Sequence, residues 1–247
     1  MEPVAHEAAA GRRQDRGALI VLVLLAHPRH LACSFALTPD AYELSVKEKR
    51  MSVLFWRRRL MRLPLLGPAD LTAEQRALYR RFDAMVQGEE YGGFEVRDPD
   101  GAFIGPWGVM MHFPDLAQPL GHFIDLAQRL PGLSERARQV VILTIGARLN
   151  VAYEMYAHAR LAARSGLRPD QVATLRAGGR PAGLTEEEAL AADVATTLTA
   201  PGPLPGPLYD AAVGKLGQQA FDAIVFVTVH YLALGTVLNA YDVDAPE

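Results

Sequence analysis

From Leu63 onward, apolar residues recur every three or four positions, the spacing of helices with one buried stripe. The first such segment opens at Asp70-Leu-Thr-Ala-Glu, where Thr72 is an N-cap and Gln75 completes a capping box. Leu78, Phe82, Met85 and Val86 then share a face, and Gly88 ends the run. FEVRDPDGAFI interrupts this pattern. Asp98-Pro99-Asp100-Gly101 is a turn between two β-prone runs, which predicts a small hairpin or ordered loop over 94–104. Pro106 and Pro114 each open a helix at the first-turn position that proline favours. The second is expected to reach Leu130, with Leu116, Leu120, Phe123, Ile124 and Ala127 on its buried side. Pro131-Gly132 breaks it, and Ser134 caps a central helical hairpin that ends at Gly166. A short helix follows from Arg168 to about Ala177, and Thr185 with Glu188 forms a capping box for another reaching about Thr199. Two helices close the chain, roughly 207–216 and 218–240. The last is apolar nearly all round, which predicts burial in a core or a subunit interface.

Residues 1–61 differ from the rest. Arg12, Arg13 and Arg16 precede an apolar run, Ala18–Ala26, that is too short to cross a bilayer as a helix. The order resembles a signal peptide, but His27-Pro28-Arg29-His30 stands where small residues would mark cleavage. The expectation is a dispensable, weakly ordered extension, with Met51 or Met61 serving equally as starts, before a domain over 62–247. The 247 residues are half hydrophobic with a formal charge of −3, an ordinary globular composition that gives no basis for nucleic-acid binding. Cys33 is the one cysteine, so neither an intramolecular disulfide nor a Cys-rich metal site can form. The seven histidines show no HExxH spacing, which leaves only a metal site assembled from distant residues.

The candidate chemistry lies in the central hairpin. In YEMYAH, Glu154 and His158 stand four residues apart, on one helix face and one turn from each other. Ala147, Val151, Met155 and Ala162 fall on or near that face, with Asn150 at its edge. A carboxylate and an imidazole held together in apolar surroundings handle protons, because each stabilises the charged form of the other. The same spacing also fits a solvated surface pair.

RQVVILTIGARLNVAYEMYAHARLAARSGL resembles the carboxymuconolactone decarboxylase family, whose fold is the all-α AhpD-like (alkylhydroperoxidase-like) one. RLPLLGPADLTAEQRALY, GPWGVMMHFPDLAQPLG and HYLALGTVLNAYDVDAP are similar to other parts of the same family, so the resemblance covers about 62–246. It implies two chemical styles. Peroxidase-type members carry a CxxC pair before the histidine; here Val151 and Glu154 occupy those positions, and neither replaces a thiolate. Many members also carry a relay glutamate, where this chain has Gln139, which hydrogen-bonds but does not exchange a proton at neutral pH. The decarboxylase style needs no cofactor, because the lactone of the substrate accepts the electrons.

On that resemblance His158 is the expected proton donor and Glu154 the group that orients it. Arg148 is a candidate carboxylate clamp, with a helix-surface role as its alternative, and Asn150, His112 and His230 are candidate pocket residues. Tyr153 and Tyr156 read as packing residues. The expected protein is an all-α, cytoplasmic homo-oligomer assembled through its C-terminal helices, acting on a small lactone or carboxylate in aromatic-compound degradation. A peroxidase-like antioxidant protein and a non-catalytic oligomeric binding protein are the alternatives.

Overall fold

The computed structural model describes residues 62–246; the extension over 1–61, with Cys33 and the Ala18–Ala26 run, lies outside the described residues. Among the described residues there are nine α-helices and no strand. They are α1 (Ala73–Met85), α2 (Gly105–Met110), α3 (Pro114–Gln128), α4 (Glu135–Leu149) and α5 (Ala152–Arg164), then α6 (Pro169–Arg176), α7 (Glu186–Leu198), α8 (Gly206–Leu216) and α9 (Gln218–Ala240).

The polar signals at helix starts act as their spacing predicts. Thr72 accepts from Gln75 N–H while its own N–H donates to the Gln75 side chain at 2.9 Å, and Thr185 with Glu188 repeats the arrangement on α7. Ser134 accepts from Ala137 N–H to start α4. These caps satisfy N–H groups that the first turn leaves unpaired.

α4 is the hub. All of Ala137–Gly146 is buried, and the helix packs against α5, α6, α7 and α9. Val141 and Ile145 of α4 meet Val194 of α7 and Ile224, Val227 and Leu238 of α9 in the main core. Glu188 of α7 is buried and accepts from Arg136 Nε at 2.6 Å. Burial works against its charge, but Arg136 and the Thr185 N–H more than offset this and hold the carboxyl below its usual range.

The segment over 94–104 is an ordered loop carrying one bridge, Arg97 to Phe103. Asp98 Oδ1 accepts from the N–H groups of Asp100 (3.0 Å) and Ala102 (2.8 Å), an Asx-type closure that leaves no length for strands. Phe103 anchors the loop edge-on to Phe82. Gly105 then starts α2 with φ 60°, and a Cβ there would lie 2.4 Å from the Tyr153 ring, so only glycine lets α2 approach α5 this closely.

Three expectations need correction. α1 stops at Met85 rather than Gly88, and α3 at Gln128 rather than Leu130. Leu116, expected on the buried side of α3, is 61% exposed, because the inward face runs through Ala117, Leu120 and Ile124. α9 is long and apolar enough to cross a membrane by length and composition, yet 56% of that window is buried inside the protein.

Candidate active site

The site forms where α4 turns into α5. Asn150 takes a left-handed conformation (φ 53°, ψ 51°), which asparagine tolerates better than most side chains, and Val151 N–H donates back to the Gly146 carbonyl at 2.9 Å. The chain reverses there, so the first turn of α5 lies beside Gly146 in the second half of α4, and the next turn brings His158 to Gln139 in the first half. Glu154 is buried with 4% exposure, and His158 lies one turn beyond it.

The hydrogen-bond network assigns the imidazole's orientation. Gln139 donates its amide N–H to Glu135 Oε1 at 2.7 Å, so its Oε1 faces His158. His158 Nδ1–H therefore donates to Gln139 Oε1 at 2.9 Å, which leaves Nε2 as the working nitrogen. Two oxygens meet Nε2: the Tyr231 hydroxyl at 3.0 Å and Glu154 Oε2 at 3.2 Å. Gln128 Nε2 donates to the same hydroxyl at 3.1 Å and frees the phenolic proton to point at the ring. Burial, with the Glu154 charge beside it, pushes Tyr231 far above the usual phenol range, so Tyr231 stays a donor. An ionised carboxylate cannot rest against a bare nitrogen lone pair. Nε2 therefore faces both groups: as imidazolium it donates to the Glu154 carboxylate, and as imidazole it accepts from the Tyr231 hydroxyl.

This couple lines an open cavity of about 590 Å³ whose walls come from α1, α2, α3, α4, α5, α9 and residues around Tyr91 and Phe94. Arg138 lines it as well, at 6% exposure, with its Nη2 donating to the Leu130 carbonyl at 3.1 Å; burial lowers its pKa. His230 is buried in the same wall, and neither ring nitrogen has a hydrogen-bond partner among the described residues. Burial, and then the nearby His158, lowers its pKa to about 3, so His230 is neutral at physiological pH. Among the described residues no group of three or more His, Cys, Asp or Glu is placed to hold a metal ion.

Of the residues read from the sequence, Glu154, His158, Gln139 and His230 meet at this cavity. Arg148, Asn150 and His112 do not. Arg148 is exposed on the last turn of α4, whereas the cavity takes that helix's first half, from Glu135 to Ile142. Asn150 makes the turn, and its side chain is exposed. His112 donates Nε2–H to the Pro64 carbonyl at 2.8 Å and so pins the segment before α1. Tyr153 and Tyr156 both hold the backbone of Glu95: Tyr153 donates to its carbonyl at 2.6 Å, and Tyr156 accepts from its N–H at 3.0 Å. Sequence reasoning missed Tyr231, Gln128, Glu135 and Arg138. Tyr231 did carry a signal, because a hydroxyl in a nearly all-apolar helix needs a buried partner.

Residues 114–197 match the model of the carboxymuconolactone decarboxylase family. The matched segment is similar to that family over about a third of the chain. It includes α3, α4, α5, α6 and all but the last residue of α7, and with them Gln139, Glu154 and His158. The fold is AhpD-like. It is similar to that of an alkylhydroperoxidase AhpD core structure, an uncharacterized peroxidase-related protein from Ralstonia eutropha JMP134. The TM-score is 0.61 at 16% identity, over 76% of this chain and 93% of that one. A second similar structure is the debrominase Bmp8, a cysteine-to-alanine variant in complex with 2,3,4-tribromopyrrole. Its TM-score is 0.55 at 15% identity, over 74% of this chain and 90% of that one. At such identities the likeness is one of fold. No curated protein matches the chain.

Proposed function

We propose that the protein is a decarboxylase-type enzyme of the carboxymuconolactone decarboxylase family, working without a cofactor on a carboxylate conjugated to a carbonyl. The observation that carries this reading is the buried contact between Glu154 and His158 Nε2, 3.2 Å apart, in a largely apolar cavity. The C–CO₂ bond breaks and its electron pair passes into the conjugated carbonyl, forming an enolate. Dry surroundings favour loss of the carboxylate's charge as CO₂, and the Tyr231 hydroxyl is the donor available to the enolate oxygen. His158 Nε2 then gives its proton to carbon, and the Glu154–His158 couple takes one proton back from water. Gln139 holds Nδ1 and fixes which nitrogen works.

Thiol peroxidase chemistry is the weaker reading, because Val151 and Glu154 stand at the two cysteine positions. A homo-oligomeric, cytoplasmic protein remains part of this proposal. The test is CO₂ release from lactone acids whose carboxylate is conjugated to the ring carbonyl, by the full-length protein. His158→Ala should lower turnover by about 10²–10⁴-fold, the usual loss for a general acid. Equal turnover by wild type and His158→Ala would overturn the assignment.

A further inference from the structure

The cavity is divided by chemistry. Its polar end is the connected set Glu135, Gln139, His158, Glu154, Tyr231 and Gln128. Its other wall is aromatic. Trp107 stacks on Phe94 at 6.4 Å with the rings 20° apart, and Tyr91 meets Trp107 edge-on at 5.6 Å. The Tyr153 ring, 6.1 Å from Trp107, joins this wall to the residue preceding Glu154. Size and charge both restrict what fits. A compact lactone diacid of about a dozen heavy atoms leaves most of the 590 Å³ unfilled, whereas cavities of roughly 300–1,000 Å³ take drug-sized ligands.

Three carboxylates line the cavity, Asp125, Glu135 and Glu154, against two guanidinium groups, Arg129 and Arg138. Arg129 is bonded to Asp125 at 2.7 Å, and Arg138 is committed to the Ala127 and Leu130 carbonyls. His230 is neutral and supplies no positive charge. Asp125, Arg129 and Glu135 are exposed at the mouth, and Arg138 is the one buried guanidinium among the described lining residues, so a second buried substrate carboxylate would have no cation of its own, which is strongly unfavourable.

We propose that the site takes a flat, multi-ring acid carrying a single carboxylate, its body on the aromatic wall of Tyr91, Phe94 and Trp107 and its reacting end at His158. The proposal rests on the decarboxylation reading only for which end reacts; the class of ligand follows from volume, wall and charge.

Calorimetric titration of the full-length protein with naphthalene-2-carboxylate, biphenyl-4-carboxylate, benzoate and cis,cis-muconate tests it. The two-ring acids should bind about tenfold or more tighter than benzoate, as burial of a second ring implies, and the diacid more weakly still. Trp107→Ala should reduce two-ring binding about tenfold and leave benzoate nearly unchanged. Ile124→Glu, which adds a carboxylate to the cavity lining from α3, should weaken every acid, so the test does not depend on Trp107→Ala folding. Tighter binding of the diacid, equal affinities for one and two rings, or no binding of any acid at millimolar concentration would overturn the proposal. His158→Ala should retain two-ring binding. Binding without turnover of any conjugated acid would sink the chemistry and keep the ligand class; turnover of the compact diacid would do the reverse.

Discussion

His158 is defined by what it touches on each side. Gln139 presents an amide, so Nδ1 is held by a neutral partner and the proton traffic is confined to Nε2. Tyr231→Phe removes the hydroxyl at Nε2 but leaves Glu154, and should lower turnover by about 10–10²-fold, less than His158→Ala. Steady-state kinetics on the three proteins gives the order, and Tyr231→Phe as damaging as His158→Ala would make the tyrosine the proton donor instead. His230 makes a separate prediction about stability. Its folded pKa of about 3 lies below the ordinary histidine value of about 6.5, so the unfolded chain takes up a proton first as pH falls. Stability is lost from about pH 6.5 downward, by about 1.4 kcal/mol per pH unit once well below that value. Denaturant titrations at pH 7 and pH 4.5 should show His230→Phe losing less over this range than wild type. The same loss in both would remove the unpaired imidazole from the acid sensitivity.

The elements of the fold were largely legible because their signals are local. Thr72 with Gln75, Ser134, and Thr185 with Glu188 cap where spacing alone places them, and Thr185→Ala should cost about 1 kcal/mol in a thermal or denaturant melt. An unchanged melt would mean that Glu188, paired with Arg136, holds the helix start without the hydroxyl. What local pattern could not carry was direction in three dimensions. Arg148 and Glu135 belong to the same helix, and only the packing of α4 decides that its first half meets the cavity. Asn150 was visible as a polar residue near the couple, but its role depends on a left-handed backbone that one asparagine does not announce. Gly105 is similar: its need for glycine comes from Tyr153, distant in sequence. Gly105→Ala should destabilise by about 1–3 kcal/mol and weaken the site by displacing Tyr153. A melt and kinetics matching wild type would show that α2 can shift without consequence.

At the scale of the molecule, α9 is better covered by its own chain than its composition suggested. Ile224, Val227 and Leu234 are buried, while Phe226 and Val229 are each 46% exposed. Leu116 and Leu126 of α3 are also exposed. Apolar side chains left outside in this number favour self-association, and the proposed homo-oligomer should use the Phe226–Val229 face. Sedimentation of wild type should give a multiple of the 26.9 kDa chain, and Phe226→Asp should lower that mass. A wild-type monomer at micromolar concentration would contradict this.

The central claim is that His158 Nε2, backed by Glu154, delivers its proton to substrate carbon from one side of the cavity. Turnover of a lactone acid in D₂O reads this step directly, with the deuterium located in the product by NMR. The account predicts one deuterium at a single carbon of the former enolate system, on a single face, and a loss of both rate and facial selectivity in His158→Ala. Deuterium spread over both faces by wild type, or the same single-face product formed as fast by His158→Ala, would contradict it.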